Sequence, residues 1–140
     1  MNGWVLAVVG GAVALGLAYV RRRFVAVTIT GTSMAPTYSG GERVLVVRAG
    51  VDRLRRGDIV VVRWAATDSI PLLLIKRVAG IAGDPIPADV ATAVSRPAGT
   101  PIPAGKFIVR GDNSDWSLDS RTVGFFDGES LLGTTVKRRA

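Results

Sequence analysis

The sequence predicts a mainly β fold: a folded antiparallel, barrel-like sheet preceded by one N-terminal transmembrane helix. Three observations carry this. Residues 3–20 hold no charge over 18 positions. Past the arginines at 21–23, apolar and polar residues alternate with period two, the spacing of a half-buried strand. Glycine and proline then cut the chain into short runs, with no helical period after residue 20. At 140 residues, 48% of them hydrophobic and 21% charged, there is material for one packed domain of ordinary size. The expected division is 1–23 as anchor and basic flank, and 24–140 as the β-rich domain.

The first element is GWVLAVVGGAVALGLAYV. As a helix it would be roughly 27 Å long, close to the ~30 Å hydrocarbon core. Trp4 and Tyr19 lie near its ends, where amphipathic rings prefer to sit. The segment admits three readings: a membrane anchor, a cleaved signal peptide, or a buried or peripheral helix. The signal-peptide reading lacks the basic residues that should precede the apolar run. Arg21, Arg22 and Arg23 follow it, and by the positive-inside rule they would keep the main domain in the cytoplasm.

Next comes FVAVTIT (24–30), a strand rich in β-branched residues. The turn segment GTSMAPT follows, then Gly40-Gly41 and a second strand over 43–48. VDRLRRGD (51–58) is a basic loop closing in a Gly-Asp turn. IVVVRW (59–64) is a third strand. PLLLIKRVAGIAGD (71–84) is an apolar strand ending in another Gly-Asp. The runs at 59–63 and 71–79 are nearly continuously apolar and should be buried on both faces. Five prolines in 85–105 mark an irregular connector with room for one short strand. KFIVRGDN (106–113) is a strand and turn, and LLGTTVKRR a last short strand.

The chemistry is narrowed by what is missing. The chain has no histidine and no cysteine. That excludes zinc–thiolate sites, thiol nucleophiles and a Ser-His-Asp arrangement. The net charge of +7 suits an anionic partner, either a membrane surface or nucleic acid. If Ser33 in GTSMAPT is a nucleophile, its base must be a carboxylate or a neutral lysine. A free lysine is neutral only about one part in 10³ at pH 7, and burial in apolar surroundings lowers its pKa. Three lysines exist. Lys137 sits in a basic tail and Lys106 opens a strand after a turn, so both should meet solvent. Lys76 ends the run Leu72-Leu73-Leu74-Ile75, the one greasy setting. Its neighbour Arg77 should point to the opposite face. Taken singly, Ser33 also reads as a turn residue and Lys76 as an edge charge. Gly31 and Pro36 shape the turn so that Oγ and the Ser33 N–H are held in place, the N–H as an oxyanion donor. GDNSDWSLDSR (111–121) reads as a polar loop in which Asp119 and Arg121 share a face and can pair.

Together GTSMAPT, RRGDIVVV, LLIKRVAGIAGD and VRGDNSDWSLDSR resemble the bacterial type I signal peptidases, the serine-lysine membrane proteases of the S26 family, in compact form. The four segments fall in the family's order over residues 24–126. The resemblance implies Ser33 as nucleophile, Lys76 as general base, and Ser117 as a support that orients the lysine. It implies Asp119 and Arg121 as a structural ion pair, and Asp112 and Asn113 as loop-shaping residues. Met34, with Leu74 and Ile75, is expected at the pocket for a small substrate side chain. The implied partners are exported preproteins and the lipid bilayer, with no nucleic acid, metal or cofactor. The implied location is a single-pass membrane protein with its catalytic domain outside the cytoplasm. Gly31 departs from members that carry a second oxyanion donor there. The interval 84–110 is too short for the second β-domain of large members. A self-cleaving repressor-type protein, a non-catalytic membrane-tethered basic domain, and a maturation protease dedicated to one secreted peptide are the competing readings.

Overall fold

The computed structural model describes residues 3–65 and 70–136. Helix α1 (Gly3–Arg23) runs directly into β1 (Phe24–Thr28), with no linker between them. The order continues through β2 (Arg43–Val47), β3 (Ile59–Trp64), β4 (Leu72–Gly80), α2 (Ala88–Ala91), β5 (Lys106–Arg110), α3 (Ser120–Val123), β6 (Phe126–Asp127) and β7 (Leu131–Thr135). A short 3₁₀ turn, Val51–Arg53, lies between β2 and β3. Helix α1 is long and apolar enough to cross a membrane, and none of its residues is buried against the rest of the chain.

The strands form one seven-stranded antiparallel sheet in the order β1-β2-β7-β3-β4-β5-β6. Both faces are covered. Val60 and Val62 pack with Leu54, Val78, Phe107, Val109, Phe126 and Leu131. Val61, between them in sequence, packs the other way with Ile29, Met34, Tyr38, Val44, Val46 and Ile75. Successive strand side chains point to opposite faces, so a central strand between two cores must be apolar throughout. This accounts for the IVVV run.

The apolar run of β4 behaves differently. Its second half is buried, but Leu72 and Leu73 are 56% and 47% exposed. The expectation that 71–79 is buried on both faces therefore fails at its start. The reason is pairing: β5 takes up only Arg77–Gly80, so residues 72–76 are bonded to β3 alone and keep one free edge. The strand also stops at Gly80, and Ile81–Asp84 form a turn in which the Ile81 N–H donates to the Asp84 carboxylate at 3.0 Å. In 85–105 the expected short strand is replaced by the single turn α2 and a lone bridge between Pro85 and Pro101. Ile86, Val90 and Ile102 close a third small core there with Ile108. Lys106 is half-exposed and paired with Asp127. Lys137 lies outside the described residues.

Candidate active site

The site is built where four loop and strand segments meet. Ser33 sits in the tight turn after β1, closed by Ala35 N–H donating to the Thr32 carbonyl at 3.0 Å and Tyr38 N–H to Met34 at 3.0 Å. Met34 and Tyr38 are buried beneath this turn. They anchor it to the core and leave Ser33 facing outward. Lys76 lies in β4 opposite Val60. Its Nζ is 2.6 Å from Ser33 Oγ, across 43 residues of sequence.

Lys76 is only 2% exposed, a long cationic side chain enclosed almost completely. Burial pushes its pKa below the ordinary lysine value, because the ammonium loses hydration. The negative Asp119 nearby pulls it partly back. The chemical result is an amine more readily neutral than a free lysine, in contact with a hydroxyl.

The loop after β5 wraps this pair. Asn113 N–H donates to the Ser33 carbonyl at 2.9 Å, and its Nδ2 donates to the Thr32 carbonyl at 3.2 Å. Gly111 is where the loop comes closest. A Cβ there would stand 2.1 Å from Ser117 Oγ and 2.6 Å from the Ser33 carbonyl oxygen, so only glycine fits. Asp119 is fully buried beneath the loop. Arg121 donates to both of its oxygens, Nε at 3.0 Å and Nη2 at 2.7 Å. Gly111 N–H (2.8 Å) and the Ser117 hydroxyl (2.7 Å) donate to Oδ2. Burial alone would raise the Asp119 pKa, but the bonds from Arg121, Gly111 and Ser117 outweigh it and hold the carboxyl at about 2.

Arg77, next to Lys76, points away from the contact between Ser33 and Lys76 and ties the surrounding segments together. It donates Nε and Nη2 to the two oxygens of Asp112 at 2.8 and 2.7 Å, and Nη1 to the Gly57 carbonyl at 3.1 Å. Thr37 donates its hydroxyl to the same Asp112 at 2.5 Å. The turn at RRGD, strand β4, the GTSMAPT turn and the GDN loop thus meet at one guanidinium. Arg77 holds the Asp112 carboxyl below the usual range, through its hydrogen bonds first.

Beside Ser33 and Lys76 is a small recess of about 130 Å³. Residues 27–30, at and just past the end of β1, form one wall, and residues 72–75 of β4 form the other, with Val61 and Ser33 also lining it. Leu74 and Ile75 both line this recess. Met34 does not line this recess. It is 1% exposed in the core below. Ser117 makes no hydrogen bond to Lys76, and its hydroxyl is given to Asp119 instead. Among the described residues, the Ser33 N–H donates to no acceptor, and no cluster of acidic residues could hold a metal ion. Sequence reasoning assigned no role to Gly111 or Thr37, and kept Arg77 off the site. The glycine of GDN was the one signal available, since a glycine in a polar loop marks a close approach.

No curated protein matches the chain. Solved structures do. Signal peptidase I from Enterococcus faecalis V583 aligns at 20% identity and a TM-score of 0.44, over 59% of this chain and 96% of that one. The family model described as signal peptidase, peptidase S26, matches residues 1–95 and 87–138. With that match spanning nearly the whole length, the chain belongs to the signal peptidase family, peptidase S26.

Proposed function

We propose that this signal peptidase is a membrane-bound serine endopeptidase that removes signal peptides from exported preproteins after small residues, in Ala-x-Ala-like contexts, with Ser33 and Lys76 as its catalytic dyad. The observation that carries the reading is the 2.6 Å contact between Ser33 Oγ and the Nζ of a lysine withdrawn from solvent. In this mechanism neutral Lys76 takes the hydroxyl proton as Oγ attacks the scissile carbonyl. The unpaired Ser33 N–H stabilises the oxyanion. Lys76 then protonates the leaving amine and activates the water that clears the acyl-enzyme.

The substrate's extended segment fits between two free strand edges, the outer edge of β1 and residues 72–76 of β4. Backbone pairing supplies affinity and the small recess at Leu74 and Ile75 selects small side chains. Ser117 supports the lysine at one remove, through Asp119. Helix α1 serves as the anchor, residues 24–140 as the catalytic domain, and that domain lies outside the cytoplasm, where preproteins emerge.

The test is cleavage of a preprotein and of an Ala-x-Ala peptide by the full chain in detergent. Ser33→Ala and Lys76→Ala each reduce product to background while the far-ultraviolet circular dichroism stays that of wild type. Full activity in either variant would rule out the dyad.

A further inference from the structure

We infer that the foot of the anchor carries a binding site for the phosphate of an anionic phospholipid, formed by Arg23, Arg48 and Arg53. This rests on the reading of α1 as a membrane span. Arg23 is the last residue of α1, and β1 begins at the next residue, so Arg23 is held at the membrane end of the domain. Strand β2 ends against it: Arg48 N–H donates to the Arg23 carbonyl at 2.9 Å, and Arg23 Nη1 donates to the Arg48 carbonyl at 3.3 Å. The chain then turns through Gly50 into the 3₁₀ turn that ends at Arg53.

The three arginines line a recess of about 540 Å³, with Leu131 and Leu132 of β7 and a single carboxylate, Asp52. None of the three belongs to an ion pair among the described residues. The triplet 21–23 alone has a plain explanation, since cations favour the negative end of a helix dipole. Arg48 and Arg53 lie on other elements and are not explained that way. Three guanidiniums against one carboxylate around one recess, with apolar side chains in its wall, suit a phosphodiester carrying net negative charge and an attached glycerol. Juxtamembrane basic clusters of this kind hold anionic headgroups.

The experiment is native mass spectrometry of the full chain in dodecyl maltoside, titrated with phosphatidylglycerol or phosphatidylcholine. Wild type should retain one phosphatidylglycerol at least tenfold more tightly than phosphatidylcholine. Arg48→Gln/Arg53→Gln should lose that preference to within twofold. Arg21→Gln/Arg22→Gln, which alters charge near the recess without lining it, should keep it. An equal loss in both double variants would mean diffuse charge and overturn the site. Displacement of the lipid by millimolar inorganic phosphate would overturn the assignment to a lipid. Flotation of the same samples with phosphatidylcholine vesicles separates the two levels. Flotation without lipid preference overturns the site alone, whereas failure of wild type to float overturns the membrane reading and the site with it.

Discussion

Arg77 clasps Asp112 through two hydrogen bonds of 2.8 and 2.7 Å, one residue along the strand from the lysine that touches Ser33. Neighbouring strand residues point to opposite faces. The Lys76-Arg77 pair therefore puts the amine that contacts Ser33 on one side of β4 and a brace on the other. The brace reaches the turn that bears the nucleophile through Thr37, and the loop that covers it through Asp112.

Loss of the brace should thus affect catalysis as well as stability. Arg77→Lys cannot reproduce the planar two-point contact. It should reduce kcat tenfold or more with little change in KM, and lower stability by about 1–2 kcal/mol, since the pair is partly exposed. Steady-state kinetics and urea unfolding measure the two effects. A loss of stability with unchanged kcat would reduce Arg77 to a scaffold residue.

Gly111 tests how tightly the covering loop is fitted. An alanine Cβ would collide with Ser117 and with the Ser33 carbonyl oxygen. Gly111→Ala should lower kcat at least a hundredfold and destabilise by about 1–3 kcal/mol through overpacking. Ser117→Gly removes the first collision but not the second. The double variant should therefore recover part of the stability and little of the activity. Full recovery of turnover would place the damage at Ser117 rather than at the nucleophile turn.

How much of this was legible beforehand depended on what kind of signal each feature leaves. Histidine and cysteine are missing and one lysine alone follows an apolar run, which leaves Lys76 as the candidate partner if Ser33 is a nucleophile. The pairing itself comes from the resemblance of the four segments to the S26 family. The sheet was legible because alternating runs cut by glycine and proline leave no helical period, and the apolar IVVV run fits a strand packed between two cores. Leu72 and Leu73 look like core residues, and only the shortness of the β5 pairing exposes them. Helices α2 and α3 are single turns, too short to leave a 3.6-residue period. Met34 sits in a turn, where no alternation tells whether a side chain points to substrate or to core.

Asp119 should set part of the acid sensitivity. Its folded pKa of about 2 lies below the ordinary value of 3.8, so it stabilises the fold fully above about pH 4. That stabilisation, on the order of 2 kcal/mol, is lost as pH falls from there toward 2. Asp119→Asn should be clearly less stable than wild type at pH 7. The gap should narrow as both are melted at successively lower pH below 4. A gap that stays constant from pH 7 to pH 2 would show that the lost stability is packing and not charge.

Lys76 has a depressed pKa too, so its effect on stability also improves as pH rises, but at neutral pH it is a cost rather than a gain. Its folded pKa lies below its ordinary value of 10.5, so burial penalises the charged form. The penalty is fully present below the folded pKa and is relieved as pH rises from there to the unfolded value. Lys76→Met should therefore abolish cleavage yet raise the melting temperature at neutral pH, with the gain fading as the solution becomes alkaline. In the active protein, kcat/KM should climb with pH and level off below 10.5, as the amine becomes neutral. Asp119 raises the Lys76 pKa, so Asp119→Asn should move that limb toward acid, whatever it does to the maximal rate. The pH profile of peptide cleavage by the two proteins decides the matter. A limb that moves toward alkali in the variant would mean that Asp119 does not help hold the lysine's proton, and another group would have to be found for that part.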